Sequence, residues 1–137
     1  MRAYFSRRYT ISASHRLHTE ALSDAENRVV FGKCNNPYGH GHNYVIEATV
    51  GGEVDAATGM VINMATLDAI VKEHVIGRFD HRNLNLDPLF SEQVSTTENL
   101  CMVMFDLLQA SLKPAELVRV RVEETENNFF EYSGKVA

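Results

Sequence analysis

One run concentrates residues able to do chemistry: Phe31-Gly32-Lys33-Cys34-Asn35-Asn36-Pro37-Tyr38-Gly39-His40-Gly41-His42-Asn43-Tyr44. It holds a thiol, a proline turn and a His-x-His pair. Two imidazoles two residues apart on a strand project from the same side. Such a pair suits a borderline-soft cation such as zinc. Gly39 and Gly41 leave room for close approach of backbone or ligand. A His-x-His pair alone is also compatible with no metal at all, so the rest of the chain has to supply further ligands.

The elements around this run must position it. Tyr44, Ile46, Ala48 and Val50 alternate with Asn43, Glu47 and Thr49, with Val45 as the exception. This period of two predicts a strand with one buried face, and His40 and His42 share the parity of that face. Upstream, Phe5, Tyr9, Ile11, Ala13 and His15 alternate with Ser6, Arg8, Thr10, Ser12 and Ser14, with Arg7 as the exception. This is a second strand, and His15 ends its apolar side. Paired as neighbours, the two strands would bring His15, His40 and His42 to one face. The plainer reading of His15 is a histidine that closes a core.

Residues 16–33 carry no period and read as a long excursion with room for a short helical turn, and such an excursion in a small domain is commonly functional. His18 lies in it without a nameable partner and reads as a solvated loop histidine. Asn63 is placed to cap a helix bearing Met64, Leu67, Ile70, Val71, His74 and Val75, which Gly77 would end. His74 reads as a rim residue of that stripe. Asp80 and His81 adjoin in Phe79-Asp80-His81-Arg82-Asn83-Leu84, and only a turned backbone would let them pair. Otherwise they are two surface residues of a polar loop. Ser95-Thr96-Thr97-Glu98 has the spacing of a capping box with Ser95 at the cap. Leu100, Val103, Met104, Leu107 and Leu108 then form an apolar stripe that Lys113-Pro114 stops, with Cys101 on its flank as a small buried hydrophobe.

Val118, Val120 and Val122 alternate with Arg119, Arg121 and Glu123, and Glu126-Asn127-Asn128 turns the chain into a last strand. Glu124 continues the valine parity. A carboxylate on an apolar face is costly unless something binds it, so Glu124 is either a ligand anchor or a wet residue at a frayed strand end. The predicted order is strand, strand, helix, helix, strand, strand. The fold class is α+β: a four-stranded antiparallel sheet with two helices on one face. The bare edges of so small a sheet suggest closure against other subunits.

Composition narrows the function classes. The chain has 137 residues, which predicts a single domain over 1–137. Its 45% hydrophobic content supports an ordinary core. A net charge of -5 without a basic stripe argues against nucleic acid as a partner. No apolar run is long enough for a membrane helix. The N-terminal residues lack a signal-peptide core, and two cysteines without Cys-x-x-Cys do not form a disulfide framework, so a cytoplasmic location is expected.

Five motifs in register carry a resemblance: Ile11-Ser12-Ala13-Ser14-His15-Arg16-Leu17, the run from Phe31 to Tyr44, Asp80-His81-Arg82-Asn83-Leu84, Ser95-Thr96-Thr97-Glu98-Asn99 and Glu124-Thr125-Glu126-Asn127-Asn128. Together they resemble the 6-pyruvoyl-tetrahydropterin synthases over almost the whole chain. The resemblance implies a tunnelling-type fold whose sheets join into barrels, in a homohexamer built from two trimers. It implies conversion of 7,8-dihydroneopterin triphosphate to 6-pyruvoyl-tetrahydropterin with triphosphate elimination, a carbon–oxygen lyase reaction in tetrahydrobiopterin synthesis. It further implies zinc on His15, His40 and His42, Cys34 as base and Asp80 and His81 as proton-transfer partners. Glu124 would anchor the pterin, and Thr96 and Thr97 would line its pocket, often from a neighbouring subunit.

Lys33 beside Cys34, with the zinc, would favour the thiolate. Arg16, Lys33 and Arg82 are candidates for the triphosphate, although a solvated charge is the better default for each. A sister family, the 6-carboxy-tetrahydropterin synthases of the queuosine route, usually has Cys-x3-His-x-His. The Cys-x5-His-x-His spacing here favours the pyruvoyl type. A reading of a different class is a non-catalytic zinc protein in which Cys34 closes the metal shell.

Overall fold

The computed structural model describes residues 1–135. Strand β1 runs Arg2–His15 and β2 runs His40–Glu53, paired antiparallel without interruption from Arg2↔Glu53 to His15↔His40. That register brings the ends of both strands level, so three histidines meet at one end of one ladder. Burial deepens toward that end: Ile11, Ala13 and His15 are buried, whereas the first half of β1 is at most half-buried.

Between these strands the aperiodic excursion contains a helix, α1 (Asp24–Phe31). Ser23 and Glu26 cap it reciprocally: Glu26 N–H donates to Ser23 Oγ, and Ser23 N–H donates to Glu26 Oε1. The capping motif is present in the sequence, but α1 carries no apolar stripe. Val29 and Val30 stay exposed and only Asn27 is buried. Periodicity therefore could not find it. A 3-10 turn, Gly32–Asn35, follows and carries Cys34.

Asn63 caps α2 (Met64–Val71) by accepting from Ala65 and Thr66 N–H. The helix does not end at Gly77 as expected. It widens to a π turn over Lys72–Ile76 and continues as α3 (Gly77–Phe79), which buries Phe79. Helix α4 (Thr97–Gln109) is capped by Thr96, which accepts from Asn99 N–H at 3.2 Å, and not by Ser95. Ser95 turns inward instead and is buried. The helix ends before Lys113-Pro114, and Leu112 buries itself in the turn that follows. Leu67, Val71 and Val75 of the first helical stretch, with Leu100, Met104 and Leu108 of α4, pack on the apolar side of the sheet.

The sheet corrects the expected four-stranded antiparallel one. It is open, mixed and five-stranded, in the order β3-β1-β2-β4-β5. The added member, β3 (Arg82–Asn83), pairs parallel with Ala13 and Ser14 of β1. It is two residues long, too short for any period to reveal. A left-handed backbone at His81 (φ 59°) turns the chain onto the β1 edge, and His81 N–H donates to Ser12 O at 2.6 Å.

Strand β4 (Glu116–Thr125) pairs with β2 and with β5 (Asn128–Tyr132). A register shift at Thr49/Val50 buries Leu117 and leaves Val118 half-buried, so the expected valine parity fails at its first member. A second shift, between Glu123 and Thr125, makes Glu124 the extra residue of a bulge.

Candidate active site

At the His15/His40 end the three imidazoles stand edge-on to one another, with ring centroids 4.7–5.4 Å apart. One ligand atom from each lies within 4.8 Å of the others. Their protonation is constrained. His15 Nδ1–H donates to Ser95 O at 2.6 Å, which leaves the lone pair on Nε2. That nitrogen lies 3.2 Å from His40 Nε2. His42 Nε2 is buried with no hydrogen-bond partner. Burial holds His15 and His40 below the ordinary imidazole range, so both are neutral ligands at physiological pH. Three converging ring nitrogens, one of them an orphan inside the protein, fit a divalent cation of the zinc type. His15 is thus both the core-closing residue and a member of the cluster.

Glu124 reaches this cluster from β4. Its Oε1 lies 3.9 Å from His42 Nε2, and its Oε2 accepts a short hydrogen bond from Thr97 Oγ1. The bulge turns Glu124 toward the helices. Its neighbour Glu123 accepts from Arg121 at 3.1 Å. Thr97 is buried in the first turn of α4. Thr96 spends its hydroxyl on the cap and does not join Glu124.

Cys34 is half-buried on its 3-10 turn. Burial, and then the negative charge of Glu124, push its thiol up. Lys33 is exposed, so the expected help from its charge is not what sets the thiol. Asp80 and His81 do pair, through the left-handed turn: Asp80 Oδ1 is 3.0 Å from His81 Nδ1 and accepts Ser12 N–H at 2.8 Å. The Ser12 bond, followed by His81, holds the Asp80 carboxyl below its usual range. The His81 ring is mostly exposed and shares a shallow hollow with Gly41 and His42.

Cys101 is far from this chemistry in environment. It is buried, its Sγ donates to Val120 O at 3.1 Å, and burial pushes it up to about 12. His74 sits beside Ser111 on the rim of the helix pair.

Two contributors were not visible in the sequence, and a third was visible only in part. Ser95 supplies a carbonyl, an atom every residue has, so no residue type could flag it. Asn35 is buried and bonded to the 16–18 segment, eighteen residues upstream. Tyr44 follows the His-x-His parity and was legible as buried. Its phenol is fully enclosed beside His42, with an unpartnered hydroxyl, and burial raises it far above its ordinary value.

The model of the family described as 6-pyruvoyl tetrahydropterin synthase matches residues 4–135. The chain belongs to this family. The human 6-pyruvoyl tetrahydrobiopterin synthase is 51% identical over 97% of this chain and 92% of its own length. The solved structure of the Caenorhabditis elegans 6-pyruvoyl tetrahydropterin synthase superposes with a TM-score of 0.94 at 45% identity, covering 98% of this chain and 97% of that one. The 6-carboxy-5,6,7,8-tetrahydropterin synthase of Bacillus subtilis is more distant, at 31% identity over 91% of this chain and 81% of its own. The 6-pyruvoyl tetrahydropterin synthase fold thus places the histidine cluster, Glu124 and Thr97 together within one chain.

Proposed function

We propose that this protein converts 7,8-dihydroneopterin triphosphate to 6-pyruvoyl-tetrahydropterin, cleaving the carbon–oxygen bond to triphosphate. The observation that carries the reading is the junction of a three-histidine cluster with the Glu124–Thr97 pair. One part suits a cation, and the other suits the amino-pyrimidine edge of a pterin. His15, His40 and His42 would hold zinc, which when bound would supply Lewis acidity to the substrate's side-chain hydroxyls and positive charge to the site.

Glu124 accepts two N–H bonds from the pterin, which compensates the burial of its carboxylate. Thr97 donates to one Glu124 oxygen and so fixes the carboxylate plane. Cys34 removes a proton from the side chain of the substrate once its thiolate forms. The depressed Asp80 stays ionised and orients His81 through Nδ1, leaving Nε2 free to take or return a proton. Thr96 lines the same helix start through its backbone.

Incubation of zinc-loaded protein with 7,8-dihydroneopterin triphosphate, with the product identified by mass spectrometry, tests this. The expected product is 6-pyruvoyl-tetrahydropterin. Formation of 6-carboxy-tetrahydropterin would assign the sister reaction, against the Cys-x5-His-x-His spacing. Loss of zinc from Cys34→Ala would instead support a closed structural site. The assembly proposed is a homohexamer in the cytoplasm, supported by the open sheet, in which β5 at one margin and most of β1 at the other have no outer partner among the described residues. A sedimentation mass of one chain in active protein would rule it out.

A further inference from the structure

The 3-10 turn that bears Cys34 has little to hold it from its own side. Helix α1, before it, exposes Val29 and Val30, and Asn36, Pro37 and Tyr38, after it, are exposed. What fixes the turn is the segment immediately after His15. Leu17 N–H donates to Cys34 O at 2.8 Å. Arg16 Nε–H donates to Asn35 O at 3.1 Å. Asn35 Nδ2–H donates back to Leu17 O at 2.7 Å. The 16–18 segment is itself pinned by Asn85, which accepts from Arg16 N–H and donates to Arg16 O.

The Asn35 amide has two N–H groups, and the second points at His18 Nδ1, 3.0 Å away. Leu17 O can only accept, so Nδ2 has to face it, and the amide orientation is thereby settled. The second N–H then requires a lone pair on His18 Nδ1. The His18 proton therefore sits on Nε2, toward Glu20 Oε1 at 3.3 Å. Asn35 is 5% exposed, so an amide that loses its acceptor has no water to replace it.

We propose that Asn35 is a positioning residue for Cys34, and that His18 holds the Asn35 amide in the orientation that does so. This rests on Cys34 being the base. The pair ties the thiol-bearing turn to the strand end that carries His15, so the base and the metal ligand keep a fixed separation. A small displacement of a reacting group costs on the order of 10²-fold in rate.

The test uses the zinc-loaded protein and the variants Asn35→Ala, His18→Ala and His18→Asn. The side-chain oxygen of asparagine lies where His18 Nδ1 lies, so His18→Asn restores the acceptor. Two quantities are read: kcat and KM with dihydroneopterin triphosphate, and the rate at which iodoacetamide alkylates Cys34 at fixed pH, located by peptide mass spectrometry. Asn35→Ala should lower kcat by about 10²-fold with KM within about threefold and zinc retained. Its Cys34 should alkylate faster, because the turn opens. His18→Ala should move both quantities the same way by less, and His18→Asn should recover most of the change.

Wild-type alkylation in Asn35→Ala, or loss of zinc from it, would overturn the proposal. So would His18→Asn behaving like His18→Ala. Should Asn35→Ala fail to fold, the two His18 variants decide. Alkylation needs no substrate, so absence of turnover by the wild type would defeat the proposed reaction while leaving this inference to be judged by the thiol.

Discussion

The two ends of the β1–β2 ladder are built from polar residues in opposite ways. At the Arg2/Glu53 end the charges are wet: Met1 N pairs with Glu53 and Arg2 with Glu116, both at 2.6 Å and both largely exposed. Short distance does not make these pairs strong, because water solvates each partner when the other is removed. At the His15/His40 end the same strands carry imidazole rings with far less access to water. His15 is 1% exposed and leans on Ser95 O, and His42 Nε2 is enclosed without a partner. The strands are regular at both ends. What differs is the access of water, and this decides where a side-chain change has consequences.

The largest effect is expected at the dry end. His40→Ala should take zinc from about one per chain to near none, with turnover reduced to background, as measured by metal analysis and product formation. Arg2→Ala at the wet end should leave both unchanged and the unfolding midpoint where it was. A stability loss there as large as at His40 would break the contrast. Next in size, Cys34→Ala should keep zinc and lose about 10²–10⁴-fold in kcat, the range of a missing base.

Glu124→Ala follows, with pterin affinity weaker by roughly a hundredfold in a calorimetric titration. This corresponds to two charge-assisted bonds at about 1.5–3 kcal/mol each, less what water restores. Glu124→Gln keeps one acceptor and should lose less. Glu123→Ala should bind almost normally, since its carboxylate is turned to Arg121.

An intermediate case sharpens the scale. Arg78 grips Asp87 with two bonds of 2.8 Å, and Asp87 is 12% exposed while Arg78 is 35% exposed. Arg78 holds the Asp87 carboxyl below the usual carboxylate range, with Leu89 N–H assisting. The unfolded chain therefore binds this proton more readily than the folded one. The pair's stabilisation is present above about pH 4 and is lost as pH falls through the lowered value. Arg78→Ala should cost about 1–2 kcal/mol at neutral pH, less than a fully buried pair. The difference from wild type should shrink in urea melts taken at successively lower pH.

The sequence showed most of what depends on side-chain type and little of what depends on the backbone. His15, His40 and His42 were legible because strand pairing turns parity into proximity. Glu124 was reached by parity although it stands at a bulge. Parity held as far as Val122 because the first register shift lies at Val118 and the second only at Glu124 itself. Ser95 was misread as a cap because Ser-x-x-Glu fits that box, whereas Thr96 has the next hydroxyl and Ser95 turns inward. The β3 pairing and the Asp80–His81 contact rest on one left-handed residue, which no pattern announces. Helix α1 was legible only as a short helical turn because its face is not apolar.

The bond from His15 to Ser95 closes a circuit. From His15 it crosses to Ser95, follows the chain two residues to Thr97 and crosses to Glu124 on β4. It returns through the pairings of Glu123 with Val45 and of Val45 with Thr10, and along β1 to His15. A ring of constraints behaves unlike a chain of them. With one link cut, its members are still joined the long way round. With two cut, a segment swings free. Paired substitutions on this ring should therefore do more damage than the sum of their single effects, and the cation site and the carboxylate site act as one mechanical part.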